Sequence, residues 1–128
     1  MSEHFSAAET SCHCGCGYNP VSDTLLDFLE CLRNEISYRY RNGQEIALNV
    51  NCVCRCPSHN AEVGGVPNSQ HVDGTAADID VTSLPISVDT LADMCVEFGA
   101  DGVGRYPNFV HADVREGRVG AGYAWDER

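Results

Sequence analysis

Two short segments constrain this chain more than anything else in it. Each alternates strictly, and each keeps its acids and histidines on one face. In residues 75–81, "TAADIDV", an extended backbone puts Ala76, Asp78 and Asp80 on one side and Ala77, Ile79 and Val81 on the other. In residues 109–114, "FVHADV", Phe109, His111 and Asp113 share a face, and Val110, Ala112 and Val114 share the opposite, apolar one. An apolar strand face has to be buried, so both segments predict strands lying on a common core. If the two lie side by side, Asp78 and His111 converge. His71 stands in the loop before the first strand, and Gly74 between them can supply a tight turn.

The remaining chain supplies what such strands would pack against. Residues 20–37 predict a helix: Leu25, Phe28, Leu29, Leu32 and Ile36 recur at helical spacing, Pro20 stands near the start, and Asp23 and Asp27 suit the positive end of the helix dipole. Residues 87–98 predict a second helix, with Ser87 as N-cap and Gly99 as stop. Residues 45–51 alternate like a strand. Residues 102–106 read as a further short strand, joined to the one at 109–114 around Pro107, and the tail at 117–128 offers an edge strand. Strands and helices mix without a βαβ rhythm. The expected fold class is therefore α+β, a small antiparallel sheet carrying the polar site and flanked by two main helices. The length of 128 residues suits one domain spanning 1–128. Residues 52–74 form a long stretch rich in Gly, Pro, Asn and Ser, and structureless loops of such length are uncommon unless they are functional.

Charge narrows the partners. Nineteen acidic residues against eight basic ones give a net charge of -11. Nucleic acid is excluded as a partner, because neutralising phosphates needs clustered Lys and Arg, and an anionic membrane surface is disfavoured for the same reason. No segment reaches the roughly 20 apolar residues of a membrane span, so no membrane insertion is expected. The N-terminal "MSEHFSAAETSCHCG" has neither a basic nor an apolar leader region, which predicts a protein made in the cytoplasm without a signal peptide.

The polar faces of the two strands, together with His71, offer two imidazoles and one carboxylate. Catalytic zinc takes three protein ligands of this kind and keeps a fourth position for water. The same set also suits non-haem iron, so ligand type alone does not name the metal.

Residues 4–115 resemble the zinc D-alanyl-D-alanine carboxypeptidase and L-alanyl-D-glutamate endopeptidase family, whose fold is shared with hedgehog-type domains and called LAS. The branch they resemble is that of the small phage-associated peptidases. The family hallmark Ser-x-His-x-x-Gly-x-Ala-x-Asp reads here Ser69-Gln70-His71-Val72-Asp73-Gly74-Thr75-Ala76-Ala77-Asp78 and is matched at every fixed position. Its late His in an apolar strand reads Phe109-Val110-His111-Ala112-Asp113. "HFSAAETSCHCGCG", "RCPSHNAEVGG" and "DGVGRY" are similar to family segments as well. The resemblance implies one catalytic Zn²⁺ held by His71, Asp78 and His111. It implies that Arg55 holds a substrate carboxylate or stabilises the oxyanion, a role a fixed guanidinium fills well. Ser69 and Gln70 are candidates for substrate binding, or else for capping their loop.

The general base departs from the family pattern. Relatives carry a carboxylate three residues before the last zinc His, or a His two residues before it; here Asn108 and Phe109 occupy those positions. Asp113 is the substitute candidate, either as the base or as the carboxylate that orients a ligand imidazole through its other N–H. Asp80 is a further candidate.

The eight cysteines include two alternating triplets, Cys12, Cys14, Cys16 and Cys52, Cys54, Cys56, each near a histidine (His13 and His59). Packed free thiols, disulfides formed after export, and a second, structural metal site all remain open for them. Cys31 and Cys95 fall in apolar helical patterns and are expected as buried core thiols.

The expected function is that of a zinc peptidase acting on the stem peptide of bacterial peptidoglycan, as a D,D-carboxypeptidase or an L-alanyl-D-glutamate-type endopeptidase. It would work as a monomer at the cell wall, after release from the cell or as part of a phage particle. The alternatives are a non-catalytic, metal-stapled binding module on the same fold and a thiol-rich metal-sequestering or redox protein.

Overall fold

The computed structural model describes residues 4–40, 42, 44, 46–64, 69–114 and 123–128. In chain order the elements are α1 (Ala7–Thr10), α2 (Asp23–Tyr40), β1 (Val50–Cys52), α3 (Pro57–Glu62), β2 (Ala76–Asp80), α4 (Val88–Glu97), β3 (Gly102–Arg105), β4 (Phe109–Asp113) and β5 (Tyr123–Asp126). The strands form one sheet in the order β1-β2-β4-β3-β5. The α+β class expected from the sequence is the class found.

The two main helices form as their apolar spacing requires. Leu25, Leu29, Leu32 and Ile36 of α2 are fully buried, and Phe28 nearly so. Ser87 caps α4 by accepting the Thr90 N–H at 3.2 Å, and Gly99 ends it at φ +97°. Leu91, Ala92 and Cys95 of α4 join one core with Ala77 and Ile79 of β2, Val103 of β3, and Val110 and Ala112 of β4. The apolar strand faces therefore lie under the helices. Asp78 and His111 occupy the other face. No helix among the described residues is long and apolar enough to cross a membrane.

Several expectations need correction. The sheet is mixed rather than antiparallel: β1–β2, β2–β4 and β4–β3 are antiparallel, but β5 joins β3 in parallel. The strand expected at 45–51 contracts to Val50–Cys52; Arg41, Gly43 and Glu45 lie outside the described residues. Ile46 and Leu48 are buried and Ala47 and Asn49 exposed, so the alternation in the sequence reflects burial rather than a ladder. The Ile46 N–H goes to the Ser37 hydroxyl of α2 instead of to a strand. Residues 52–74 are not structureless, for α3 lies within them, with Pro57 in its first turn and the Cys56 sulfur accepting the His59 N–H. The short α1 begins with a capping box of Ser6 and Glu9, whose S-x-x-E spacing is legible in the sequence. Cys95 is buried, but Cys31 is exposed, because it falls on the outer side of α2 between the buried stripes.

Candidate metal centre

Pairing of β2 with β4 puts Asp78 directly opposite His111 in register. His71 arrives from the loop before β2, and that loop is tied down on every side. The Tyr18 hydroxyl donates to Val72 O at 2.7 Å, Ser22 N donates to Gly74 O at 2.9 Å, and Arg55 N donates to His71 O at 3.0 Å. Gly74 sits at φ +73°, and a Cβ there would collide with the carbonyl of Pro20. No other residue fits that turn.

The three side chains meet at one atom. Asp78 Oδ1 lies 3.2 Å from His71 Nε2 and 3.1 Å from His111 Nδ1. The two imidazole rings stand nearly perpendicular, with centroids 5.3 Å apart. Each ring is held from behind by an acceptor. His71 Nδ1 is 2.8 Å from the carbonyl of Val53, which has no proton to give, so Nδ1 carries the hydrogen. His111 Nε2 is 2.8 Å from Asp113 Oδ2. The nitrogens facing Asp78 are therefore those whose lone pairs become free once the rings are neutral.

Electrostatics follow from this arrangement. Burial opposes a charge on His71, but hydrogen bonds to Asp78 and Cys52 outweigh it and lift the imidazole to about 10. Burial opposes charge on His111 too, and bonds to Asp113 and Asp78 again win, raising it. Burial would raise Asp78, yet the two histidines hold it well below the usual carboxylate range. Asp78 thus favours a proton on each of the two imidazole nitrogens that face it in a largely buried pocket, and a divalent ion would substitute for those protons.

The walls add Gly102, Gly104, Tyr106 and Trp125, which sequence reasoning did not single out, to Asp113 and Cys52, which it did. Asp113 has no exposed surface, and a Cβ at Gly102 of β3 would overlap its carboxylate. Trp125 of β5 packs over Gly104, places its ring 5.0 Å from that of His111, and donates from Nε1 to the Tyr106 hydroxyl at 2.9 Å. The tail was legible as an edge strand, but nothing in its residues tells that it pairs in parallel beside the histidine. Cys52 of β1 is in register with Asp78, and its sulfur, a His71 nitrogen and an Asp78 oxygen lie mutually within 4.8 Å.

The other candidate residues fall around this centre. Arg55 reaches the site's edge: its guanidinium donates to the buried Asn60 at 2.8 Å and to Cys52 Sγ at 3.6 Å. Ser69 Oγ accepts the His71 N–H at 3.2 Å, and Gln70 Oε1 accepts from the Thr75 hydroxyl at 2.8 Å, so both shape the loop that carries His71. Asp80 turns its carboxylate to the Thr82 hydroxyl. Asn108 is exposed in the turn before β4, where its carbonyl accepts the Val81 N–H.

Residues 3–113 match the family described as Peptidase M15. The chain belongs to that family. No curated protein matches it significantly. M15 peptidases are zinc-dependent metallopeptidases, and the donor set here suits that ion: two imidazole nitrogens, each fixed by a buried acceptor on its far side, and a carboxylate oxygen between them.

Proposed function

We propose that this M15 peptidase holds one zinc ion with His71 Nε2, Asp78 and His111 Nδ1 and hydrolyses a peptide bond in the stem peptide of bacterial peptidoglycan. The observation that carries the reading is the convergence of both imidazoles on Asp78 Oδ1, at 3.2 and 3.1 Å, with their far nitrogens already bound.

When bound, zinc supplies Lewis-acid polarisation of the scissile carbonyl and acidifies water at the site. The chain's own residues do the rest. Val53 O keeps a proton on His71 Nδ1, and Asp113 keeps one on His111 Nε2, so both rings present a lone pair inward. Asp113 is better suited to this orienting task than to carrying protons from water, because its carboxylate is buried behind His111. Arg55, braced by Asn60, supplies the positive charge that a substrate carboxylate or a tetrahedral oxyanion needs. Trp125 shields one side of His111 and limits solvent there.

One observation favours a second reading, a non-catalytic binding module. Cys52 lies where a thiolate would close the position that a catalytic ion keeps open. Both readings meet one experiment: zinc-loaded protein is incubated with purified peptidoglycan and the released muropeptides are followed by mass spectrometry. The enzyme reading expects new peptide termini from the wild type and none from His111→Ala, which also loses the metal. Absence of cleavage by the wild type, combined with activity appearing in Cys52→Ser, would assign the wild-type chain to the module.

A further inference from the structure

The cysteines outside the catalytic pocket do not behave as two triplets. Cys52 faces His71, and Cys54 is buried with its thiol 3.3 Å from Asn19 Oδ1. Cys56 instead joins the whole of the first triplet. The sulfurs of Cys12, Cys14, Cys16 and Cys56 all lie within 4.8 Å of one another. Cys12 and Cys14 are 3.4 Å apart, and Cys14 and Cys56 3.7 Å. A tetrahedron of sulfurs around zinc, with bonds of about 2.3 Å, has edges of about 3.8 Å. The cluster is thus already near the size of a tetrathiolate site.

Local backbone geometry favours it. The chain turns left-handed at Gly15 and Gly17, and Cys12 N donates to Tyr18 O at 2.9 Å, so residues 12–18 close into a loop around the sulfurs. Backbone N–H groups point at the sulfurs: Cys56 N is 3.3 Å from Cys12 Sγ, and His59 N is 3.4 Å from Cys56 Sγ. Such donors offset the charge that four thiolates leave around a divalent ion. Disulfides would join these sulfurs in pairs, whereas all four are gathered at one point.

We propose that Cys12, Cys14, Cys16 and Cys56 bind a second, structural zinc ion. The thiols form four Zn–S bonds and release their protons to solvent. The ion staples the N-terminal loop to the start of α3. Arg55 immediately precedes the Cys56 ligand and bonds to His71 O, so the staple also braces the loop that carries the catalytic candidates. The site does not depend on the peptidase reading and survives its failure.

The test uses the full chain, purified under reducing conditions and loaded with zinc. Elemental analysis should find two zinc ions per chain in the wild type, one in His111→Ala and one in Cys56→Ser. Iodoacetamide labelling read by peptide mass spectrometry adds a measurement on the wild type alone, should Cys56→Ser fail to fold. With zinc, Cys14 and Cys16, both exposed like Cys31, should be protected while Cys31 reacts; with chelator, all three should react. Cobalt substitution should give sulfur-to-cobalt charge-transfer absorption that persists in Cys52→Ser. Labelling of Cys14 and Cys16 at the rate of Cys31 in zinc-loaded protein, or recovery of the four cysteines as disulfides, overturns the proposal.

Discussion

Asp113 and His111 sit two residues apart on β4, yet their side chains meet, with Oδ2 2.8 Å from Nε2. A carboxylate in that position can act on the ring or on a reacting water, and the two roles leave different traces. An orienting carboxylate sets the tautomer and basicity of a ligand imidazole, and its loss costs metal affinity by about 10–100-fold. A general base leaves affinity alone and costs about 100–10,000-fold in rate. Full burial of Asp113 selects the first. Asp113→Ala is therefore expected to weaken zinc binding at the His71–Asp78–His111 site by about 10–100-fold. Asp113→Asn, whose carbonyl still accepts from Nε2–H, should retain most of that affinity. Competition against a chromophoric chelator measures both. Unchanged affinity in Asp113→Ala with a collapsed rate would return Asp113 to the base role.

At the scale of elements, legibility depended on whether burial and pairing agreed. Helix α2 and strands β2 and β4 have an apolar stripe or face wide enough to fix their type, and they form where the spacing puts them. Residues 46–49 alternate for burial alone, so the pattern overstated the strand. Helix α3 is short and polar, and it is marked by its start signal rather than by periodicity. Register adds a demand that no single segment shows. Gly102 of β3 pairs with Asp113 of β4, and the carboxylate fills the space a side chain at 102 would need. Because β3 is paired on both sides, by β4 and β5, its backbone has little room to yield. Gly102→Ala should cost roughly 1–3 kcal/mol, the range for overpacking a filled site. It should also displace Asp113 and lower zinc affinity. Urea denaturation and the same zinc titration check the two effects. A stable Gly102→Ala protein with wild-type zinc affinity would show that the carboxylate does not need that space.

Across the whole molecule, the centre joins four distant stretches of chain, and only part of that was legible. His71, Asp78 and His111 could be read because each stands out in its own segment, two on the polar face of an amphipathic strand. Cys52 and Trp125 enter through the β1–β2 register and the parallel β5, which are properties of the assembled sheet. What the assembled pocket adds is coupling of charge. In the metal-free protein His71 is raised to about 10, against about 6.5 in an unfolded chain, with Asp78 the first of the partners that raise it. A raised imidazole stabilises the fold in full below its unfolded value, and that contribution is lost as pH rises through the folded one. The metal-free wild type should therefore lose stability between about pH 6.5 and pH 10. In Asp78→Asn the carboxylate that both imidazoles share is gone, leaving His111 with Asp113 and His71 with Cys52. That variant should be less stable than the wild type near pH 7, with the gap narrowing towards pH 10, where the wild type has lost its proton as well. Urea denaturation in chelator and reductant at stepped pH separates this from the thiols and tyrosines, which titrate in both proteins. Two parallel stability curves would mean that Asp78 is not the charge that holds the histidines.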